Sequence, residues 1–187
     1  MTTPLIGLAG AARSGKDTAA QALLESGWTR RAFADKVRDM LYVANPTLVD
    51  EAYFEGLTSL AYEVDTYGWD EVKEQHPEVR QMLQRLGTEG GRALLGEDVW
   101  VDALFRDYST WGPTVITDVR FPNEADAIRA HGGLVVAIRR PGQELIADAE
   151  HASETALRGY LFDDVILNDG PVAQLHDRVM QLIPGTM

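Results

Sequence analysis

An apolar run, Leu5-Ile6-Gly7-Leu8-Ala9, leads directly into Gly10-Ala11-Ala12-Arg13-Ser14-Gly15-Lys16-Asp17-Thr18. The run reads as a short buried strand. Asp17 to Leu24 carries alanines and leucines at helical spacing and is stopped by Gly27, so it reads as a helix. Strand, glycine-rich turn and helix in that order nearly fit the Walker A pattern of glycine, four residues, glycine, lysine and a hydroxyl residue. Glycines let a backbone wrap closely around phosphate oxygens. The first amides of the helix then point at the anion with the helix dipole behind them. Gly10, Arg13, Ser14, Gly15, Lys16, Asp17 and Thr18 are therefore expected to hold the phosphates of ATP, with Lys16 neutralising charge during transfer. Asp17 stands where the pattern wants a hydroxyl for Mg²⁺, and Thr18 follows it. Either side chain is a candidate for the metal.

The rest of the chain repeats this layout. Thr29 to Phe33, Thr114 to Thr117, Leu134 to Ile138 and Val165 to Leu167 read as strands. Helices are predicted over Asp35–Val43, from Pro77 through Leu86, and over Asp98–Tyr108, Glu124–Ala130 and Val172–Leu182. Residues 46–76 show the least regular pattern. Apolar strands separated by helices predict an α/β fold, a parallel sheet flanked by helices on both faces. Ligands on such sheets lie beyond the carboxyl ends of the strands, and here polar clusters follow four strands.

Asp118 at the tip of its strand is placed to hold Mg²⁺ through water, and Arg120 to grip an acceptor phosphate. Asn123 is expected to cap the next helix, which frees Asp118 for that task. Arg139 and Arg140 enter a segment that reads as a lid over the transferring phosphate. Asn168, Asp169 and Gly170 either border an adenine ring or form a turn. Lys36 and Arg38 open a helix; the plainer reading is a solvated first turn, and the sharper one is contact with an acceptor phosphate. Arg85, Thr88, Glu89 and Arg92 recur at three- and four-residue spacing, making a polar face that is either solvated or acceptor-binding.

Composition narrows the functions available. The 187 residues suit a single domain with a small insertion. The absence of cysteine excludes disulfides, thiolate metal sites and cysteine nucleophiles. A net charge of −12 opposes general nucleic-acid binding, but local arginines can still hold small phosphates. No apolar run is long enough to span a bilayer and Met1–Leu8 does not predict a secretory signal, so a cytoplasmic location is expected.

Taken together, Arg13-Ser14-Gly15-Lys16-Asp17-Thr18, Arg80 to Thr88, Thr117-Asp118-Val119-Arg120, Asn123 to Ala127 with Gly132-Gly133, Arg139 to Gln143, His151-Ala152-Ser153-Glu154 and Asn168-Asp169-Gly170 resemble the bacteriophage deoxynucleoside monophosphate kinases. That family's loop also reads lysine-aspartate-threonine. The resemblance implies a P-loop kinase fold in one domain, 1–187, with a helical acceptor-binding insertion over 46–110 and a lid over 139–160. It implies ATP and Mg²⁺, with conversion of deoxynucleoside monophosphates to diphosphates by in-line transfer. Lys16, Asp118, Arg120, Arg139 and Arg140 would be catalytic. Asp17, Thr18 and Asp118 would face the metal, and Asn168 to Gly170 the adenine. Lys36, Arg38, Arg80, Gln84, Thr88 and Arg120 would meet the acceptor. Host cytoplasm would be the setting if the chain is phage-encoded, and a homodimer stays open. The rival readings are a kinase of the phosphomevalonate or dephospho-coenzyme A type, and a nucleotide-binding module that does not turn over.

Overall fold

The computed structural model describes residues 3–49, 56–142 and 156–183. The chain divides into two compact units, Met1–Phe33 with Leu104–Met187, and 34–103.

The first unit is built on a five-stranded sheet. Its strands are β1 (Leu5–Ala9), β2 (Thr29–Arg31), β5 (Thr114–Val119), β6 (Leu134–Arg139) and β7 (Asp164–Leu167), in the order β2-β5-β1-β6-β7. Every pairing is parallel, with Ile6 opposite both Val115 and Leu134 and Ile138 opposite Ile166. β1 is buried along its whole length because helices cover both of its faces. On one face, Ile6, Leu8, Val115, Val136 and Ile138 pack against Ala19, Ala20 and Leu23 of α1 (Lys16–Glu25) and against Leu175 and Val179 of α8 (Val172–Met180). On the other face Gly7 lets Ile128 of α7 (Pro122–Ala130) approach so closely that any Cβ would strike its Cδ1 at 2.5 Å. Leu8 and Ile138 are both fully buried, and truncating such a side chain to Ala costs about 2–5 kcal/mol.

The second unit takes in most of α2 (Phe33–Ala44), an antiparallel β3–β4 pair (Thr47–Val49, Leu57–Ser59), α3 (Leu60–Gln75), α4 (Pro77–Arg85), a π-helix over Leu86–Arg92, α5 (Ala93–Leu95) and the start of α6 (Val99–Phe105). Leu41, Leu48, Leu60, Val72 and Val79 form its core.

Three local expectations need correction. The described residues of 46–76 are regular: an antiparallel strand pair precedes a 16-residue helix, started by Ser59 Oγ accepting from the Tyr62 amide at 3.4 Å. The helical stripe is masked because Gly68 (φ 80°) kinks it and Tyr62 and Tyr67 are exposed. Asn123 does not cap α7. Phe121 holds the cap position, Pro122 starts the helix, and buried Glu124 reaches back to the amides of Arg120 (2.7 Å) and Phe121 (3.0 Å). Beyond Leu86 the helix widens to π geometry, so the spacing of Thr88, Glu89 and Arg92 no longer follows a 3.6-residue period. Trp100 supports this turn: its Nε1 donates to the Gly87 carbonyl at 2.7 Å, and its ring lies where a Cβ on Gly91 would stand.

Among the described residues, no helix is long and apolar enough to cross a membrane.

Candidate functional site

Parallel strands deliver their carboxyl ends to one edge of the sheet, and a pocket of about 560 Å³ opens there. Gly10, Ala11, Ala12, Ser14 and Lys16 after β1, Arg120 after β5 and Arg139 to Gly142 at the end of β6 line it, together with Leu157, Arg158, Gly159 and Phe162. Lys16, Arg120, Arg139, Arg140 and Arg158 place five cations in its wall, and no described lining residue is acidic. In a chain of net charge −12, that concentration of arginine and lysine suits an anionic ligand.

The loop is shaped by two glycines with positive φ, Gly10 at 147° and Gly15 at 101°. A Cβ on Gly10 would collide with the Ile138 carbonyl, and one on Gly15 with the Asn168 carboxamide. Lys16 Nζ donates to the carbonyls of Gly10 and Ala11, both at 2.8 Å, so its ammonium lies folded over the loop. Ser14 is 1% exposed, and among the described residues its Oγ has no hydrogen-bond partner. A buried hydroxyl in that state suits an anion that supplies the missing acceptor. The glycine cradle, this hydroxyl and the five cations all fit a polyphosphate.

Asn168 lies behind the loop. Its Nδ2 donates to the Ser14 carbonyl at 2.9 Å, and its backbone amide donates to the Arg139 carbonyl at 2.7 Å. The Asp169 carboxylate accepts from Arg178 at 2.8 Å, and Gly170 is exposed. Asp118 Oδ1 accepts the Phe33 amide at 2.9 Å, tying the tip of β5 to the start of α2. Asp17 and Arg13 are exposed, and Thr18 is half-buried. Among the described residues, no group of three or more His, Cys, Asp or Glu side chains forms a metal cage. Mg²⁺ beside phosphates needs none, since it keeps several waters and takes phosphate oxygens. The hydroxyl of Thr18 and the carboxylates of Asp17 and Asp118 are hard oxygen donors of the type it prefers.

The remaining sequence candidates lie in the second unit. Lys36 pairs with Asp39 and Arg38 with Asp35, both at 3.3 Å along α2. Arg80 Nε donates to the Lys73 carbonyl at 2.9 Å, closing the end of α3. Gln84 and Thr88 are exposed. The proposed lid falls largely on residues 143–155, outside the described residues. Arg158 was missed because a lone arginine between Leu157 and Gly159 has no periodicity or motif to single it out.

A glycine loop between the central strand and its helix, on an all-parallel sheet with cations gathered over it, defines a P-loop phosphotransferase. The family comparison is specific. The profile of the deoxynucleotide monophosphate kinase family matches residues 62–179, and the chain belongs to that family. A putative deoxynucleotide monophosphate kinase of Acanthamoeba polyphaga mimivirus is 30% identical over 96% of this chain and 95% of its own length. The deoxynucleoside-5'-monophosphate kinase of Escherichia phage T5 is 36% identical over 42% of this chain and 34% of its own. The deoxynucleotide monophosphate kinase of Enterobacteria phage T4 is 32% identical over 54% and 43%.

Proposed function

We propose that this protein transfers the γ-phosphoryl group of ATP to deoxynucleoside monophosphates, yielding ADP and deoxynucleoside diphosphates. The observation that carries this reading is the pocket in which Lys16, Arg120, Arg139, Arg140 and Arg158 gather at the glycine loop, with no acid among its described lining residues. An oxygen of the acceptor's phosphate attacks in line, so no side chain need act as nucleophile. The protein supplies alignment and charge neutralisation. Loop amides between Gly10 and Thr18 hold the donor phosphates, with Ser14 Oγ donating to one of their oxygens. Lys16 leaves the carbonyls of Gly10 and Ala11 for the β- and γ-oxygens. Arg120, Arg139 and Arg140 balance the charge shared between donor and acceptor, and the walls of the pocket limit access of water. Thr18, Asp17 and Asp118 are the residues that would hold Mg²⁺, which when bound neutralises phosphate charge.

The 34–103 unit is assigned to the acceptor, with Lys36, Arg38, Arg80, Gln84 and Thr88 as its polar candidates. The acceptor is a free mononucleotide, because a surface of net charge −12 repels a polynucleotide. The setting is the cytoplasm, where ATP and mononucleotides meet. Asn168 acts in this reading by bracing the loop rather than by touching adenine.

The test is ADP release with ATP and Mg²⁺ against each deoxynucleoside monophosphate, each ribonucleotide and phosphomevalonate separately. Turnover with one or more deoxynucleotides is expected, falling by about 10²-fold or more in Lys16→Ala. Turnover only with a non-nucleotide acceptor would overturn the substrate assignment. An unaffected Lys16→Ala would overturn the role of that lysine.

A further inference from the structure

Arg129, in the last turn of α7, is absent from the pocket wall yet holds the segment that supplies part of it. Its Nε donates to Asp163 Oδ2 at 3.0 Å, and one terminal nitrogen donates to the Tyr160 hydroxyl at 2.9 Å. The other donates to the Leu161 carbonyl. Its guanidinium carbon also lies 4.9 Å from the centre of the Tyr160 ring. Tyr160 Oη donates onward to Asp126 Oδ1 at 2.7 Å, and Asp163 Oδ2 accepts the Val135 amide of β6 at 2.7 Å. One side chain thus clamps residues 160–163 to α7, and the partner carboxylate clamps them to β6.

The clamp passes directly into the pocket. The Tyr160 amide donates to the Leu157 carbonyl at 3.1 Å, closing a turn that contains Arg158 and Gly159. Phe162 stands edge-on to Tyr160 at 5.5 Å. Leu157, Arg158, Gly159 and Phe162 all line the same pocket as the glycine loop. The planar fork of arginine holds several acceptors in one fixed geometry, which lysine cannot reproduce.

We propose that Arg158 contacts the donor phosphates and that Arg129 is the positioning residue that holds it in place, acting through Tyr160 and Asp163. This rests on the pocket being the ATP site. The test is ATP affinity, measured by calorimetry with Mg²⁺ on the full chain, for Arg158→Ala, Arg129→Ala, Arg129→Lys and the double alanine variant. Melting temperatures serve as the fold control.

Arg158→Ala should weaken ATP by about 10-fold, the loss of one charge-assisted contact. Arg129→Ala should do nearly the same, Arg129→Lys should not restore affinity, and the double variant should bind no worse than Arg158→Ala. Losses that multiply in the double variant, or an Arg129→Ala that melts lower but binds ATP normally, would overturn the proposal. If Arg129→Ala fails to fold, Tyr160→Phe removes only the hydroxyl of the clamp. It should weaken ATP in the wild-type background and leave Arg158→Ala unchanged; equal losses in both backgrounds would sink the idea. Because the cycle is read in ATP binding, failure to phosphorylate deoxynucleotides would be a separate result. Failure of the wild type to bind ATP would overturn both readings.

Discussion

The Asn168 carboxamide donates to the Ser14 carbonyl at 2.9 Å, so the end of the last strand braces the phosphate loop from behind. Asn168 is only 7% exposed. Removing its amide leaves the Ser14 carbonyl buried without that donor, at a cost of about 1–3 kcal/mol. Asn168→Ala should therefore lower Tm by roughly 2–4 °C per kcal/mol for a chain of this size. It should also weaken ATP, because the loop loses its support. Asn168→Asp should do worse in ATP affinity, since a carboxylate cannot donate and adds negative charge beside the phosphates. Scanning calorimetry and ATP titration check both, and a loop that binds ATP normally in either variant would refute the bracing role.

Gly15 meets two constraints at once. Its φ of 101° disfavours an L side chain, and Asn168 occupies the space a Cβ would take. Gly15→Ala should cost about 1–2 kcal/mol from the backbone alone and more from displacement of Asn168. The combined Gly15→Ala/Asn168→Ala variant should recover part of the second cost. Urea melts of the single and double variants read this as a coupling energy, and full additivity would contradict it.

Glu124 holds the turn from which Arg120 projects. It is 4% exposed and accepts the amides of Arg120 and Phe121. Glu124→Ala strands those donors, with an expected loss of about 1–3 kcal/mol. Glu124→Gln keeps one acceptor oxygen and should cost less. With Arg120 displaced, steady-state kinetics of Glu124→Ala should show a larger change than its stability loss explains. Unchanged kinetics in a folded variant would separate Glu124 from the site.

The clamp around Arg129 gives a pH signature. Partial burial pushes the Asp163 carboxyl up, but hydrogen bonds from Arg129 and the Val135 amide outweigh it and hold it below the usual carboxylate range. A depressed folded pKa contributes stability above the unfolded value, and that stability is lost as pH falls through the folded one. Wild type should thus lose more stability than Asp163→Asn as pH drops below about 4. Tyr160 is shifted the other way: burial and the bond to Asp126 push its phenol up to about 12. Its contribution is fully present below pH 10 or so and is lost as pH rises from there through about 12. Denaturant midpoints across acid pH, and phenolate absorbance across alkaline pH, read the two limbs. Parallel acid profiles for wild type and Asp163→Asn would refute the first.

The strands of the sheet were readable because a buried parallel strand is a nearly unbroken apolar run, as in Leu5–Ala9 and Leu134–Ile138. The phosphate loop was readable because its glycines, lysine and following helix lie within nine residues. α3 was hidden because its kink at Gly68 and its exposed aromatics break the apolar stripe. The helix start at Pro122 was misassigned because Glu124 supplies the cap from inside the helix, where Asn123 looked better placed.

The sequence by itself determined the alternation of strands and helices and the glycine-rich turn after β1, because these depend on periodicity and spacing over a few residues. It also carried the family likeness. Only the tertiary structure decided that Asn168 donates to Ser14, that Arg158 joins Lys16 and Arg120 around one pocket, and that Arg129 bonds to Tyr160 and Asp163 beside that wall. Those relationships join residues tens to more than a hundred positions apart, where the packing of the sheet and its helices sets the distance and local spacing carries no trace of it.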